Sequence, residues 1–287
     1  MQAWFESIST ALDHPWLRRP VMLLFWTILV YFLVITTYYH HLILSDPNQL
    51  EYREGAALLP VHLLLAGKNP YALEYMPEAT NVYGIVYPLM VYPLAQWLGP
   101  SLYTHRLVTA LFIGASCLLL ALVLRRERVA LPYLVAGTLL FYQALMFFVG
   151  PLARPDSTGM FFFLASILLP VLGRYSTAAL AGSLLLGILG FYTKLYFVLG
   201  LLFVSLHLFF YVSRLKGMIY ASVGMLILLA SMWFINDLFP TYWVNVLLVQ
   251  MRATAQSLRL SGDDGFTHMA MQFKLFFMLY YPLLILF

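Results

Sequence analysis

Long apolar runs alternate with short polar segments along this chain. The first run, from about Pro20 to Leu44, exceeds the roughly 20 residues that an α-helix needs to cross a bilayer, and proline is well tolerated in a first helical turn. Further apolar runs predict spans at about Arg106 to Leu124, Leu131 to Val149, Ser157 to Leu172, Thr177 to Phe191, Leu195 to Val212, Met218 to Ile235 and Gln272 to Phe287. The pattern therefore predicts about eight crossings.

A polar segment, residues 45–105, follows the first run. Within it, Gln49 to Ala66 is predicted to form a short amphipathic helix and Gly67 to Pro70 a turn. A second apolar segment, Tyr83 to Leu98, is too short to cross. The expected fold is all-α: a polytopic transmembrane bundle, one domain over residues 1–287, whose long first extracytoplasmic loop contains juxtamembrane helices.

The composition supports a membrane protein. Hydrophobic residues make up 62% of the chain, charged residues only 10%, and the mean hydropathy is +0.84, whereas an average soluble domain has about 25% charged residues. The net charge of +4 is small, and the basic residues lie in short loops rather than in one stripe. We therefore expect the lipid bilayer as a partner and no nucleic acid.

The distribution of charge predicts an orientation. If the spans alternate, one side receives Arg18, Arg19, Arg125, Arg126, Arg128, Arg174, Arg214 and Lys216. The opposite side receives most of the acidic residues, Asp46, Glu51, Glu54, Glu74, Glu78, Asp156, Asp237, Asp263 and Asp264. By the positive-inside rule the basic side is cytoplasmic. We expect a multi-pass protein of the inner or plasma membrane, with a cytoplasmic N-terminus and an extracytoplasmic active site.

Three carboxylates near the exit of the first span are candidate catalytic groups. Asp46 follows the span directly, and Glu51 and Glu54, three residues apart, would share one face of a helix. Asp46 could instead be an N-cap, with Pro47 at the first helical position. The two roles are compatible, because a capping carboxylate keeps a second oxygen that could accept a proton from an incoming hydroxyl.

Three cations lie at the outward ends of predicted spans: Arg106, Arg154 and Lys194. A charge so close to lipid is costly unless it is paired or snorkels to the surface. Arg154 could pair with Asp156 at a helix start, and Lys194 could snorkel or pair with a carboxylate elsewhere. Alternatively, all three could bind the phosphate of a lipid-linked donor.

Tyrosines and prolines form a candidate substrate shelf. Tyr71 follows the predicted turn, and Tyr87 and Tyr92 begin two Tyr-Pro steps, although interfacial tyrosines are also common in membrane proteins without such a role. Metal ligation is only weakly indicated, because the adjacent His40 and His41 point apart on a helix and the other histidines lack ligand spacing. We therefore expect no cofactor, with a metal possible but not indicated.

These features together resemble the GT-C superfamily of membrane glycosyltransferases, in particular the bacterial branch similar to the protein mannosyltransferase and aminoarabinose transferase families. The matching features are Asp46 with Glu51 or Glu54, the turn Gly67-Lys68-Asn69-Pro70-Tyr71, the Tyr-Pro-Leu shelf, the segment from Leu98-Gly99-Pro100 to Arg106, Ala153-Arg154-Pro155-Asp156, and Tyr192-Thr193-Lys194-Leu195-Tyr196-Phe197. The resemblance covers roughly residues 16–239, and each motif is degenerate.

The resemblance implies transfer of a sugar from a polyprenyl-phosphate donor to an acceptor glycan, lipid or protein on the extracytoplasmic side. It makes Asp46 the base, with Glu51 or Glu54 as a supporting carboxylate. Arg154, Lys194 and Arg106 would stabilise the departing phosphate. Such enzymes usually continue with more spans, and this chain ends inside an apolar run, Tyr281–Phe287, so we expect a truncated or short version of a longer chain.

Two other classes of function are compatible with the sequence. A transporter or lipid-carrier flippase would have polar residues near the bilayer midplane and paired repeats of broken helices, but the charges here concentrate at one face. An inactive fragment or scaffold of a longer transferase is favoured by the ending within an apolar run. Replacement of Asp46 by asparagine would abolish transfer in an enzyme and hardly affect a transporter or scaffold.

Overall fold

The computed structural model describes residues 15–76, 81–148, 150–249 and 251–252. Every regular element in these ranges is helical, which confirms the all-α fold class. The α-helices are α1 (Pro15–Ser45), α2 (Arg53–Leu65), α3 (Val86–Leu98), α4 (Leu102–Arg126), α5 (Leu131–Phe148), α6 (Asp156–Leu172), α7 (Thr177–Phe191), α8 (Leu199–His207) and α9 (Arg214–Leu238). Short 3₁₀ segments (Leu73–Tyr75, Leu195–Val198) and π segments (Leu208–Val212, Val244–Val249) complete the described structure.

Within the described part of the chain, four helical segments are long and apolar enough to cross a membrane: Arg18–Ser45, Leu102–Arg126, Leu195–Val212 and Arg214–Leu238. Three further apolar helices are shorter: Leu131–Met146, Asp156–Leu172 and Thr177–Phe191. All seven coincide with predicted spans. The eighth predicted span, Gln272 to Phe287, lies outside the described residues, so the structure supports a membrane protein and leaves the count of eight as a prediction.

Two helix starts differ from the predictions. Helix α1 begins by Pro15, which places Pro20 inside the helix rather than at its first position. Helix α2 begins at Arg53 rather than at Gln49, because the backbone N–H of Leu50 donates to the Glu54 carboxylate at 2.7 Å. The predicted amphipathic helix is therefore real but shorter at its N-terminal end.

The segment Tyr83 to Leu98 is helical from Val86, and with 13 residues α3 is too short to cross, as predicted. Its start is delayed because the preceding residues dock on the end of α7. The N–H of Gly84 donates to the carbonyl of Thr193 at 3.2 Å, and that of Val86 to the carbonyl of Tyr192 at 3.1 Å. This docking brings the first loop beside Lys194.

Polar contacts bring five helix ends together at one end of the bundle, here called the Asp156 end. These are the C-terminal ends of α1, α7 and α9 and the N-terminal ends of α4 and α6. Arg106 reaches the end of α1, Lys194 reaches Asp156, and the Asn69 amide donates to the carbonyl of Leu238 at 2.9 Å. The predicted site residues therefore belong to one end of the molecule.

Helix α1 lies at the edge of the bundle and contacts α5 through polar side chains. The Gln143 amide donates to the Thr36 hydroxyl at 2.9 Å, and His40 hydrogen-bonds Tyr142. Such bonds are favourable between helices in lipid, because water is not available as an alternative partner. No pattern in the sequence indicated this pairing.

Candidate active site

A buried ion pair lies at the centre of the Asp156 end. Arg106 and Glu54 are both fully buried, and the guanidinium donates Nε–H to Glu54 Oε1 at 2.9 Å and Nη2–H to Oε2 at 2.8 Å. The remaining donors go to the carbonyl oxygens of Ile43 at 2.8 Å, Asp46 at 2.6 Å and Asn48 at 2.7 Å. These five bonds use all five N–H groups of an arginine.

Glu54 is as fully engaged as its partner. Besides Arg106, its oxygens accept the backbone N–H of Leu50 at 2.7 Å, of Ala153 at 2.8 Å and, more loosely, of Glu51 at 3.4 Å. The assignment of Arg106 to the phosphate therefore needs correction, since none of its donors is free. Glu54 is likewise engaged in folding the loop, and the pair fixes the backbone beside Glu51 and before Arg154.

The other two predicted cations meet at one carboxylate. Lys194 Nζ donates to Asp156 Oδ1 at 2.6 Å, across a sequence separation of 38 residues, and Arg154 Nε lies 3.0 Å from Asp156 Oδ2. The Tyr196 hydroxyl also donates to Asp156 Oδ1, at 3.3 Å. The structure therefore shows the ion-pairing alternative for both residues, because Arg154 pairs with Asp156 and Lys194 has a carboxylate partner.

Glu51 borders the same group of charges. Its Oε2 lies 3.9 Å from Arg154 Nη1, its Oε1 lies 3.6 Å from Arg53 Nε, and its Oε2 accepts the backbone N–H of Arg53 at 3.0 Å. The side chain is 20% exposed, compared with 13% for Asp156. Glu51, Arg53, Arg154, Asp156 and Lys194 are called the charged cluster below, and three cations against two carboxylates give it a formal charge of +1.

Asp46 lies in a different arrangement from the one predicted. Its Oδ1 accepts the backbone N–H of Asn48 at 2.8 Å and the Asn48 amide at 3.2 Å, which is an Asx turn and not a helix cap. Its backbone carbonyl accepts from Arg106. The carboxylate that lies beside both Arg154 and Lys194 is that of Asp156, which the sequence indicated only as a partner of Arg154.

The predicted tyrosine shelf is mostly core. Tyr71 and Tyr87 are buried. The Tyr71 hydroxyl donates to the carbonyl of Tyr83 at 2.5 Å, and the Tyr87 hydroxyl hydrogen-bonds His105 Nδ1 at 3.1 Å. They cannot present their rings to a substrate in this structure, which corrects that assignment. Tyr92 is partly exposed on α3 and accepts from the Gln96 amide at 2.9 Å.

The tyrosines beside the charged cluster are Tyr83 and Tyr196. Lys194 Nζ lies 5.2 Å from the centre of the Tyr83 ring and 5.7 Å from that of Tyr196. Ring faces at this distance attract a cation. Sequence reasoning missed both residues, although Tyr83 begins the Tyr-Gly step that docks on the end of α7 and Tyr196 lies two residues after Lys194.

Burial and charge shift the titration of groups in this region. Burial lowers the pKa of Lys194 from its ordinary value of 10.5, while Asp156 opposes that shift. Burial raises the pKa of Tyr83, against the pull of Arg154 and Arg53. For Glu54, burial acts to raise the pKa, but hydrogen bonds from Arg106 and two backbone N–H groups outweigh it and hold the pKa below 4.5.

An apolar groove begins near the charged end and follows α4. It encloses about 450 Å³ and is lined by Met90, Pro93, Leu94, Val108, Leu111, Phe112 and Ala115. Ala115 lies about 13 Å further along the helix axis than Arg106, at about 1.5 Å per residue. The groove therefore runs from the level of the buried ion pair into the apolar part of the bundle.

No family model matches this chain, and neither the curated proteins nor the solved structures contain a match. The resemblance to GT-C glycosyltransferases therefore rests on the motifs of the sequence itself.

The described residues contain no group of three His, Cys, Asp or Glu side chains arranged to hold a metal ion. Chemically, the charged cluster offers a partly exposed carboxylate next to cations that suit a phosphate.

Proposed function

We propose that this protein is a membrane glycosyltransferase that moves a sugar from a polyprenyl-phosphate donor to an acceptor glycan, lipid or protein. One observation carries the proposal: Arg154 and Lys194, which are distant from each other in the sequence, both contact Asp156, and Glu51 lies beside them. Cations gathered where helices end at a membrane surface suit an anionic headgroup.

The chemistry assigns a role to each part of the cluster. The acceptor hydroxyl loses its proton to Glu51, its oxygen bonds to the anomeric carbon, and the bond from that carbon to the phosphate oxygen breaks. The negative charge that develops on the departing polyprenyl phosphate is stabilised by Arg154 and Lys194. Glu51 takes the role of base ahead of Asp46, since its carboxylate borders the cations, and Asp46 remains the second candidate.

The groove along α4 suits the donor's isoprenyl chain. Its lining is apolar, Leu111 on its rim is 62% exposed, and it extends away from the level of Arg106. A chain lying there would leave its phosphate near the headgroup level. We also propose that the protein crosses the inner or plasma membrane eight times. Its basic loops would then lie in the cytoplasm and its charged cluster on the extracytoplasmic side.

The test is transfer of a radiolabelled sugar from its polyprenyl-phosphate carrier by the purified protein in lipid nanodiscs. We expect label to reach an added acceptor with the wild type, and Glu51→Gln to lower the rate by at least about a hundredfold, as loss of a general base does. Asp46→Asn serves as the comparison variant and is expected to keep most of the rate. Transfer that persists in Glu51→Gln but disappears in Asp46→Asn would return the role of base to Asp46.

A further inference from the structure

The two carboxylates of the charged cluster are held very differently. Asp156 has short contacts of 2.6 Å with Lys194 and 3.0 Å with Arg154. Glu51 lies 3.6 Å from Arg53 and 3.9 Å from Arg154, which is longer than the 2.7–2.9 Å of a charge-assisted hydrogen bond. Asp156 is therefore held by two cations at short range, whereas the Glu51 carboxylate accepts one hydrogen bond, from the backbone N–H of Arg53 at 3.0 Å, and is only attracted by the two guanidinium groups.

Glu51 stands between two guanidinium groups, with one oxygen towards each. Oε1 faces Arg53 and Oε2 faces Arg154. The phosphodiester of the donor has two charged non-bridging oxygens, and between the same two groups it could offer one to each guanidinium, a group that binds phosphate oxygens well. The carboxylate thus occupies the position that an anionic ligand would take.

We propose that the Glu51 carboxylate is a placeholder for the donor phosphate, bridging Arg53 and Arg154 until the phosphate displaces it. This inference rests on the proposed function and deepens it, since it makes Arg53 a further phosphate-binding residue. The Arg53 side chain is 45% exposed, so it can turn towards a ligand without leaving a packed position. Its Nε–H now donates to the Tyr52 hydroxyl at 2.6 Å, a neutral partner that a phosphate would outcompete.

Displacement would also link donor binding to catalysis. While Glu51 lies between the arginines, its oxygens face cations and are poorly placed to take a proton. Once the phosphate occupies both guanidinium groups, the carboxylate is free to turn towards an acceptor hydroxyl. The base would then become available only when the donor is bound, which limits loss of the sugar to water.

Binding of farnesyl phosphate to the full chain in nanodiscs tests the inference, with farnesol and inorganic phosphate as reference ligands. Glu51→Gln removes the competing charge but keeps an oxygen for the Arg53 N–H, so we expect farnesyl phosphate to bind about threefold to tenfold more tightly than to the wild type. Arg53→Gln should weaken binding by about tenfold. Lys68→Gln, which removes an exposed cation outside the cluster, should leave binding unchanged.

The outcomes separate the inference from the proposed function. Wild-type binding of farnesyl phosphate with no gain in Glu51→Gln, or with no loss in Arg53→Gln, would overturn the placeholder and leave transfer intact. A gain in Glu51→Gln without any label transfer would support the placeholder and refute the transferase. An equal gain for inorganic phosphate would support the placeholder and assign the site to free phosphate rather than to a lipid headgroup. If the wild type and every variant bind farnesyl phosphate no more tightly than farnesol, both the placeholder and the proposed transferase are overturned.

Discussion

At the scale of single residues, Asp156 determines where Lys194 and Arg154 lie. Its carboxylate contacts both cations, and the rings of Tyr83 and Tyr196 flank Lys194. A carboxylate that is shared by two cations leaves positive charge uncompensated, so an additional anion can still be attracted. This arrangement suits transient binding of a phosphate better than a simple structural ion pair would.

Replacement of Lys194 tests its proposed role in stabilising the leaving group. We expect Lys194→Gln to lower the rate of sugar transfer by about 10²–10³-fold, the usual effect of removing one group that stabilises developing negative charge. Lys194→Arg keeps the charge and should retain an intermediate rate. Initial rates at saturating donor measure both variants, and a rate for Lys194→Gln within about twofold of the wild type would remove Lys194 from the mechanism.

Glu54 predicts a pH dependence of stability. Its pKa in the folded protein lies below the ordinary value of 4.5, so its contribution is present above the pKa of the unfolded chain and is lost as the pH falls through the lower, folded pKa. The melting temperature in detergent should therefore fall below about pH 4.5 in the wild type. The melting temperature of Glu54→Gln should lie below that of the wild type at pH 7, because removing one partner of a buried pair costs about 3–5 kcal/mol. In acid the two melting temperatures should approach each other. Parallel curves for the two proteins would contradict this account.

At the scale of elements, the docking of the first loop on the end of α7 depends on Gly84. A Cβ at this position would lie 1.9 Å from the carbonyl oxygen of Tyr192, which is backbone and cannot move aside independently. The contact brings Tyr83 beside Lys194 and sets the start of α3. Together with the hydrogen bond from Ala153 to Glu54, it fastens the first loop to the bundle, and no spacing in the sequence reveals it.

Gly84→Ala should therefore separate the loop from α7 and lower both the melting temperature and the rate of transfer. Gly114→Ala is the matched control, because a Cβ there meets no atom within 4 Å, and alanine in a helix interior is favoured over glycine by about 0.5–1 kcal/mol. We expect the control to be neutral or slightly stabilising. Equal melting temperatures for the two variants would show that the docking contact contributes little.

The helices were predictable and the contacts between them were not. Apolar runs predicted seven of the observed helical segments to within a few residues, because a helix in lipid is apolar along its whole length. The partner of Arg106 was not predictable, since Glu54 lies 52 residues away and both residues looked equally available for catalysis. The burial of Tyr71 and Tyr87 was not predictable either, because tyrosine suits an interface and a polar core equally.

At the scale of the whole molecule, the proposed reaction requires the charged cluster to face outward. Single cysteines at Lys68 and Lys216, both exposed, test this in a Cys117→Ala background with a membrane-impermeant maleimide. The positive-inside rule predicts labelling of the Lys68→Cys protein in intact cells, and of the Lys216→Cys protein only after the membrane is opened. The reverse pattern would invert the topology and place the cluster in the cytoplasm.

In the proposed reaction the charged cluster releases a polyprenyl phosphate from its sugar. Phosphorus NMR of the protein in nanodiscs with a polyprenyl-phosphate sugar and acceptor reports this directly, because the donor phosphodiester and the product phosphomonoester give separate signals. We expect the wild type, and not Glu51→Gln, to convert the diester signal to the monoester signal. A diester signal that stays unchanged with wild-type protein, or is converted equally by Glu51→Gln, would contradict it.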